Sequence, residues 1–195
     1  MELRCAWATR DPDYIHYHDQ VWGRPVYDDR ELFEKLCLDG QQAGLSWLTI
    51  LRRTESYRLA YAGFDPVRIS QFDESDRQRL LQDTGIIRNR LKIDSIIKNA
   101  QAYLAMQAEG IAFAPWLWAF VGGAPQINHW QRSEQIPTRS PASDAMAKAL
   151  KKRGFSFVGT TICYAFMQAV GMVNDHLVSC PCHGACQEVA HAAGS

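Results

Sequence analysis

The sequence predicts an all-α fold, and three observations carry that reading. Apolar residues recur at helical spacing through most of the 195 residues. No stretch alternates apolar and polar residues over several positions, so no sheet is expected. Helix start and stop signals (Asp11-Pro12, Asp28-Asp29, Ser143-Asp144, Gly171) bracket the apolar runs at helix length.

The elements follow in order. Asp11-Pro12 places proline at the first helical position, and Asp13 to Trp22 reads as a short helix. Asp28 or Asp29 caps a helix over residues 30–38, where Leu32, Phe33, Leu36 and Cys37 make one apolar stripe. Gly40 and Gly44 interrupt the pattern; Leu45 to Leu51 resumes it, and Thr54 to Ala62 continues as helix. Val67 to Phe72 and Glu74 to Gln82 are short helices, and Ile86 to Glu109 is a long one. Arg88, Arg90, Lys92 and Lys98 line its polar side, as a solvated face or as contacts to a nucleic-acid backbone. Phe113 to Phe120 is an aromatic core helix, Gly122 to Ser140 a loop, and Ser143-Asp144 caps a helix ending at Lys152. A Gly-bounded hairpin, Gly154 to Gly159, then precedes Thr160 and Thr161, which stand where the cap of the next helix belongs. Gly171 ends that helix in the left-handed conformation. The residues after Cys180 are small and polar and are expected to fray.

Composition narrows the class. Hydrophobic residues make up 47%, enough for a real core, yet no apolar run is long enough to span a bilayer. The N-terminal charges are not followed by an apolar stretch, so no signal peptide is read and a cytosolic protein is expected. With 21 basic and 21 acidic residues, bulk charge does not drive DNA binding, but a local patch can. Six cysteines in such a chain suit thiols or metal ligands better than a disulfide framework.

Four constellations carry chemistry. The hairpin before a helix N-terminus exposes unpaired N–H groups beside Lys148, Lys151, Lys152 and Arg153, an anion site suited to DNA phosphate. His176 and Cys180, four apart, would share one side of a helix, and Cys5 with His18 would complete a tetrahedral Cys2His2 shell joining the two ends of the chain. Cys182, His183 and Cys186 are rival ligands. Trp7, Tyr14, Tyr17, Trp22 and Trp47 supply π-faces that could hold a flat, preferably cationic base, or could be core. Asp39, Gln41 and Gln42 could read the edge of such a ligand, with Leu45 after Gly44 as a wedge; otherwise the segment is an inter-helix bend whose glutamines satisfy its own backbone.

Several stretches carry a resemblance: Arg4 to Trp7, Tyr14 to His18, Val21 to Gly23, GQQAGLSW from Gly40, TGIIRNRLKI from Thr84, and the long run from Ala142 to His176. Over residues 2 to about 182 the chain resembles the 3-methyladenine DNA glycosylase I family. The resemblance implies a two-lobed helix–hairpin–helix DNA glycosylase fold in one domain, residues 1–195. Its helical lobe would span roughly 30–140 and its helix–hairpin–helix element about 144–172. Segments 1–24 and 173–182 would be joined by one structural Zn2+ on Cys5, His18, His176 and Cys180, leaving 183–195 as the frayed tail.

It further implies a monofunctional base excision repair enzyme of the bacterial cytosol. Acting as a monomer without membrane contact, it would flip 3-methyladenine out of alkylated double-stranded DNA and release it as the free base. Trp7, Tyr14, Tyr17, Trp22, Asp39 and Trp47 would line the base pocket, and Asp39 is the candidate catalytic carboxylate where the family usually has glutamate. Gly44, Leu45, Lys151, Lys152, Arg153, Gly154, Gly159 and Thr160 would meet DNA. Asn174 or Asp175 stands near the position where related glycosylases of the same superfamily place a catalytic aspartate, and Asp175 is read as structural. A zinc-stabilised DNA-binding adaptor without catalysis is the alternative. A zinc hydrolase would need an open coordination position that four protein ligands deny.

Overall fold

The computed structural model describes residues 4–8 and 10–193. Its helices in chain order are α1 (Pro12–Gln20), α2 (Asp29–Gln41), α3 (Trp47–Leu51), α4 (Thr54–Ala60), α5 (Pro66–Ser70) and α6 (Glu74–Gln82). They continue with α7 (Arg90–Ala108), α8 (Phe113–Trp118), α9 (Pro141–Lys152), α10 (Thr160–Ala169) and α11 (Pro181–Ala193). Among the described residues no single helix is long and apolar enough to cross a membrane.

The caps explain most of the boundaries. Asp11 accepts from the Asp13 and Tyr14 N–H groups with Pro12 at the first position, and Asp28 accepts from Glu31; such a cap contributes about 1 kcal/mol. The long helix starts at Arg90, later than the Ile86 expected, because Asn89 caps it by accepting from the Lys92 N–H. Helix α9 starts earlier than the predicted Ser143-Asp144 cap, because Ser140 and Ser143 form a reciprocal capping box around Pro141. Gly159, not a threonine, is the N-cap of α10. The Thr160 hydroxyl instead donates to Asp144 at 2.7 Å and pairs with Ser143 at 2.8 Å, tying α10 to α9.

Helix α2 is the centre of the core. Leu32, Phe33 and Leu36 are fully buried against α7 and α10. It runs past Leu38 to Gln41, and Gly40 within it lets the hairpin lie against the helix backbone. A Cβ there would stand 3.1 Å from Phe157 Cβ and 3.2 Å from its carbonyl oxygen. Lys92, expected on a polar face, is buried; its ammonium donates to the Gln41 and Ala43 carbonyls at 2.7 Å each, closing the C-terminal end of α2. Asn99 of α7 holds the hairpin by accepting from the Ser156 N–H at 2.8 Å.

Two expectations about regular structure are corrected. A two-residue parallel bridge exists, β1 (Gln126–Ile127) with β2 (Val173–Asn174), where the loop before α9 meets the chain leaving α10. The segment after Cys180 does not fray but forms α11. Cys186 is buried, and His183 is mostly buried with its Nε2 2.7 Å from the Asn128 carbonyl. Its last two residues, 194 and 195, lie outside the described residues. Gly171 has φ +74°, and a Cβ on it would lie 2.5 Å from the Arg24 carbonyl carbon and the Pro25 nitrogen. Only glycine satisfies both demands, so α10 ends there and the N-terminal segment crosses over it.

Candidate active site

A cleft of about 470 Å³ opens between α1, α2, α3 and α10. Trp7, Tyr14, Tyr17, Trp22, Asp39 and Trp47 all line it, so the structure brings the six sequence-selected positions together. The rings meet edge to face: Trp7 stands 5.4 Å from Tyr14 at 82° and 5.2 Å from Trp22 at 77°. Tyr17 and Trp47 are 5.6 Å apart and tilted by 43°. Tyr14 is anchored, its phenol oxygen accepting the Leu48 N–H at 2.9 Å. Burial, the Asp39 charge and Tyr14 raise the pKa of Tyr17, so its hydroxyl keeps its proton and remains a donor.

The acidic residue has company that was not selected from the sequence. Asp39 is 2% exposed, and its Oδ1 accepts from Lys35 Nζ at 2.7 Å, one helical turn back on α2. That ammonium also lies 3.4 Å from the centre of the Trp47 ring. Burial raises the Asp39 carboxyl above its ordinary range, with Lys35 opposing; burial likewise lowers Lys35, with Asp39 opposing. Asp39 Oδ2 and Trp47 Nε1 are buried without a hydrogen-bond partner among the described residues. One acceptor and one donor are therefore left for something else in the cleft.

Other neighbours were missed too. Gln42, Tyr164, Gln168 and the loop from Ser133 to Thr138 complete the wall. Gln41 does not reach it: its amide donates toward the Lys92 carbonyl and Ser95, and accepts from Tyr57 OH, so it cannot read a ligand edge. Behind Tyr164 and Gln168 lies Asp175, 1% exposed. Its carboxylate accepts four bonds: Tyr164 OH at 2.6 Å, Gln168 at 2.9 Å, Asn128 at 2.7 Å and Trp130 at 2.8 Å.

A second buried group adjoins the cleft. Cys5, His18, His176 and Cys180 offer one ligand atom each, all within 4.8 Å of one another. His176 and Cys180 are not on a helix, as their spacing suggested; a turn closed by the Cys180 N–H on the Leu177 carbonyl at 2.8 Å brings them together. His18 Nδ1 must donate to Asp19 at 2.7 Å, and His176 Nε2 must donate to the Trp22 carbonyl at 3.0 Å. Both rings therefore turn a lone pair inward, 3.2 Å apart, between two thiols. Sulfur–nitrogen separations are 3.6 to 3.8 Å. Ligands about 2.1 and 2.3 Å from one tetrahedral ion stand about 3.3–3.8 Å apart, so the donor set fits a metal. Facing lone pairs without one would repel. Of the rival ligands, His183 is spent on Asn128, Cys186 lies near the Trp22 carbonyl, and Cys182 sits outside the shell against Asp19 and His18 Nδ1.

The residues selected for DNA contact belong to two segments, the turn after α2 and the stretch from the end of α9 to the start of α10. Gly44 has φ +77° with open space where a Cβ would be, and Leu45 is exposed beside it. Lys151 and Lys152 are exposed, while Arg153 pairs with Glu109 at 2.5 Å. Gly154 is left-handed at φ +93°, and Phe157 in the same turn is left-handed at +56°, a strained conformation for a non-glycine residue. Gly159 caps α10 without a side chain, which leaves the helix N-terminus with no side-chain cap.

Known proteins resemble this chain in sequence and in fold. The profile of a family described as methyladenine glycosylase matches residues 7–183. A DNA-3-methyladenine glycosylase 1 from Escherichia coli is 55% identical over 180 residues, 92% of this chain and 96% of that protein. One from Haemophilus influenzae is 50% identical over 182 residues, 93% of this chain and 98% of its own length. A crystal structure of 3-methyladenine DNA glycosylase I matches with a TM-score of 0.92 at 59% identity, covering 93% of this chain and 100% of that one. A Staphylococcus aureus structure described as giving the structural basis of 3-methyladenine recognition matches with a TM-score of 0.88 at 39% identity, covering 91% and 95%.

Proposed function

The chain belongs to the methyladenine glycosylase family, and from that premise we propose that it hydrolyses the bond joining 3-methyladenine to deoxyribose in alkylated DNA. The observation that carries the reading at this chain's own residues is the cleft. Six aromatic side chains line it together with a buried carboxylate, one oxygen of which has no hydrogen-bond partner among the described residues.

Methylation at N3 makes adenine a cation and a good leaving group, so the bond is weak before the enzyme acts. The nucleotide is flipped out of the duplex into the cleft. Trp47 and Tyr17 receive the ring by its faces, where a cation is held better than a neutral purine. The Tyr17 hydroxyl and Asp39 Oδ2 meet its edge. Water attacks the sugar as positive charge passes from base to sugar. Asp39 favours the cationic ground state, and tight ground-state binding does not itself speed chemistry; modest rate enhancement and a narrow substrate range follow. The nucleophile in this reading is water rather than Lys35, the amine among the described residues that line the cleft, so no Schiff base forms and the reaction stops at an abasic site.

Helix α9, the turn and α10 serve as the helix–hairpin–helix element. The uncapped N-terminus of α10 takes a phosphate, and Lys151, Lys152 and Arg153 stand beside it. Gly44 and Leu45 form the wedge that fills the space the base leaves. Cys5, His18, His176 and Cys180 would hold a zinc ion, which suits two thiolates and two imidazoles, and its role there would be structural because four protein ligands close the shell. Asp19 and the Trp22 carbonyl orient the two imidazoles. Since α1 carries His18 as well as Tyr14 and Tyr17, fixing the ion fixes one wall of the cleft.

Asp39→Asn tests the base-reading role. Titration of free 3-methyladenine and of abasic duplex should show the base weakened roughly tenfold, the size of one charge-assisted bond, with the duplex nearly unaffected. Equal losses for both would remove Asp39 from the base site.

A further inference from the structure

Lys35 occupies the position where the proposed substrate's charge would go. Its ammonium touches the same Asp39 carboxylate, at 2.7 Å, and the same Trp47 face, at 3.4 Å, that would hold a cationic purine. Tyr17 is the next ring, 5.6 Å away. A base stacked on Trp47 needs a plane about 3.5 Å from the indole, and Lys35 Nζ stands in that layer. The two cannot coexist. Among the described residues the ammonium is held by these groups alone, on a flexible four-carbon stem, and the side chain retains 15% exposure, so it can leave.

We propose that Lys35 sets the affinity of the cleft, as an internal cation that competes with the entering base for Asp39 and Trp47. The inference rests on the base-cleft reading above. At rest the pair is neutral. An entering cationic base replaces the ammonium and the site stays neutral. When the glycosidic bond breaks, the base keeps the bonding electron pair and loses its charge; the ammonium then regains its partner and helps expel the product. A neutral purine would have to displace the lysine while leaving Asp39 without an ionic partner. Lys35 therefore weakens the hold on the charged substrate while favouring product release, raising KM without lowering kcat.

The test is calorimetric titration of wild type, Lys35→Met and Lys35→Arg with 3,9-dimethyladeninium, which is charged as the base is on DNA, and with neutral 9-methyladenine. Lys35→Met should bind the cation about tenfold more tightly, the worth of one cation–π and ion-pair competitor, and should tighten the neutral purine by a similar factor, since that ligand too must displace the lysine. Lys35→Arg should keep wild-type affinities, and KM for methylated duplex should fall in Lys35→Met with kcat no higher. Lys35→Gln, which keeps a hydrogen bond to Asp39 without the charge, carries the same expectation should Lys35→Met not fold. An unchanged or weakened cation Kd in a folded variant overturns the competition while leaving the cleft as the base site. A wild type that binds neither purine overturns both.

Discussion

Asp175 offers the sharpest separation of architecture from chemistry. Its carboxylate is buried and takes bonds from four donors, two of which, Tyr164 and Gln168, also line the cleft. A group so fully engaged has no lone pair directed at a water in the cleft, which is why it is read as the support behind the wall. In Asp175→Ala the donors lose their acceptor. Each buried bond to a charge is worth about 1.5–3 kcal/mol, without full additivity, so the loss should total about 3–5 kcal/mol. For a chain of this length that is roughly a 10 °C fall in Tm. Asp175→Asn is milder: its oxygen still serves Asn128 and Trp130, its amide can face a rotated Tyr164 hydroxyl and Gln168, and about 1–2 kcal/mol should be lost. Urea unfolding of the three proteins, with single-turnover excision under conditions where all remain folded, separates the effects. The reasoning is refuted if Asp175→Asn keeps wild-type stability and loses more than about a hundredfold in rate, as a carboxylate acting in the chemical step would.

The remaining predictions are simpler. Cys180→Ser should lower the metal content from one zinc per chain and cost several kcal/mol of stability, read by elemental analysis beside thermal melting; unchanged stoichiometry would reject the four-ligand shell. Lys152→Ala should weaken binding of any duplex sequence about equally and reduce the slope of log K against log salt by about one. A sequence-dependent loss with an unchanged slope would take Lys152 off the phosphates.

Local signals were the legible part of this chain. The Asp11 and Asp28 caps and the left-handed Gly171 act within a few residues of themselves, and each stands where the sequence placed it. The six aromatic and acidic positions line one cleft, but the residues alone left the five aromatics open to being core; only the family resemblance joined them with Asp39 in a pocket. What was missed depended on distance. Gln41 and Lys92 looked like a ligand reader and a surface cation, yet they satisfy each other across 51 residues. His176 and Cys180 do converge, by a turn rather than by helical periodicity. Helix α11 was hidden by small residues, although Ala185, Cys186, Val189 and Ala190 make a helical stripe that composition obscured. Lys35 was open to discovery: a lysine one turn before a buried aspartate is a standard helix pair. Its placement over Trp47 needed the fold.

The most direct measurement is to incubate the protein with duplex DNA treated with a methylating agent and to identify by chromatography any purine set free. The account predicts 3-methyladenine as the principal released base, with an unbroken strand carrying an abasic site. Tight binding with no base released, or release of unmodified adenine at a similar rate, would contradict it.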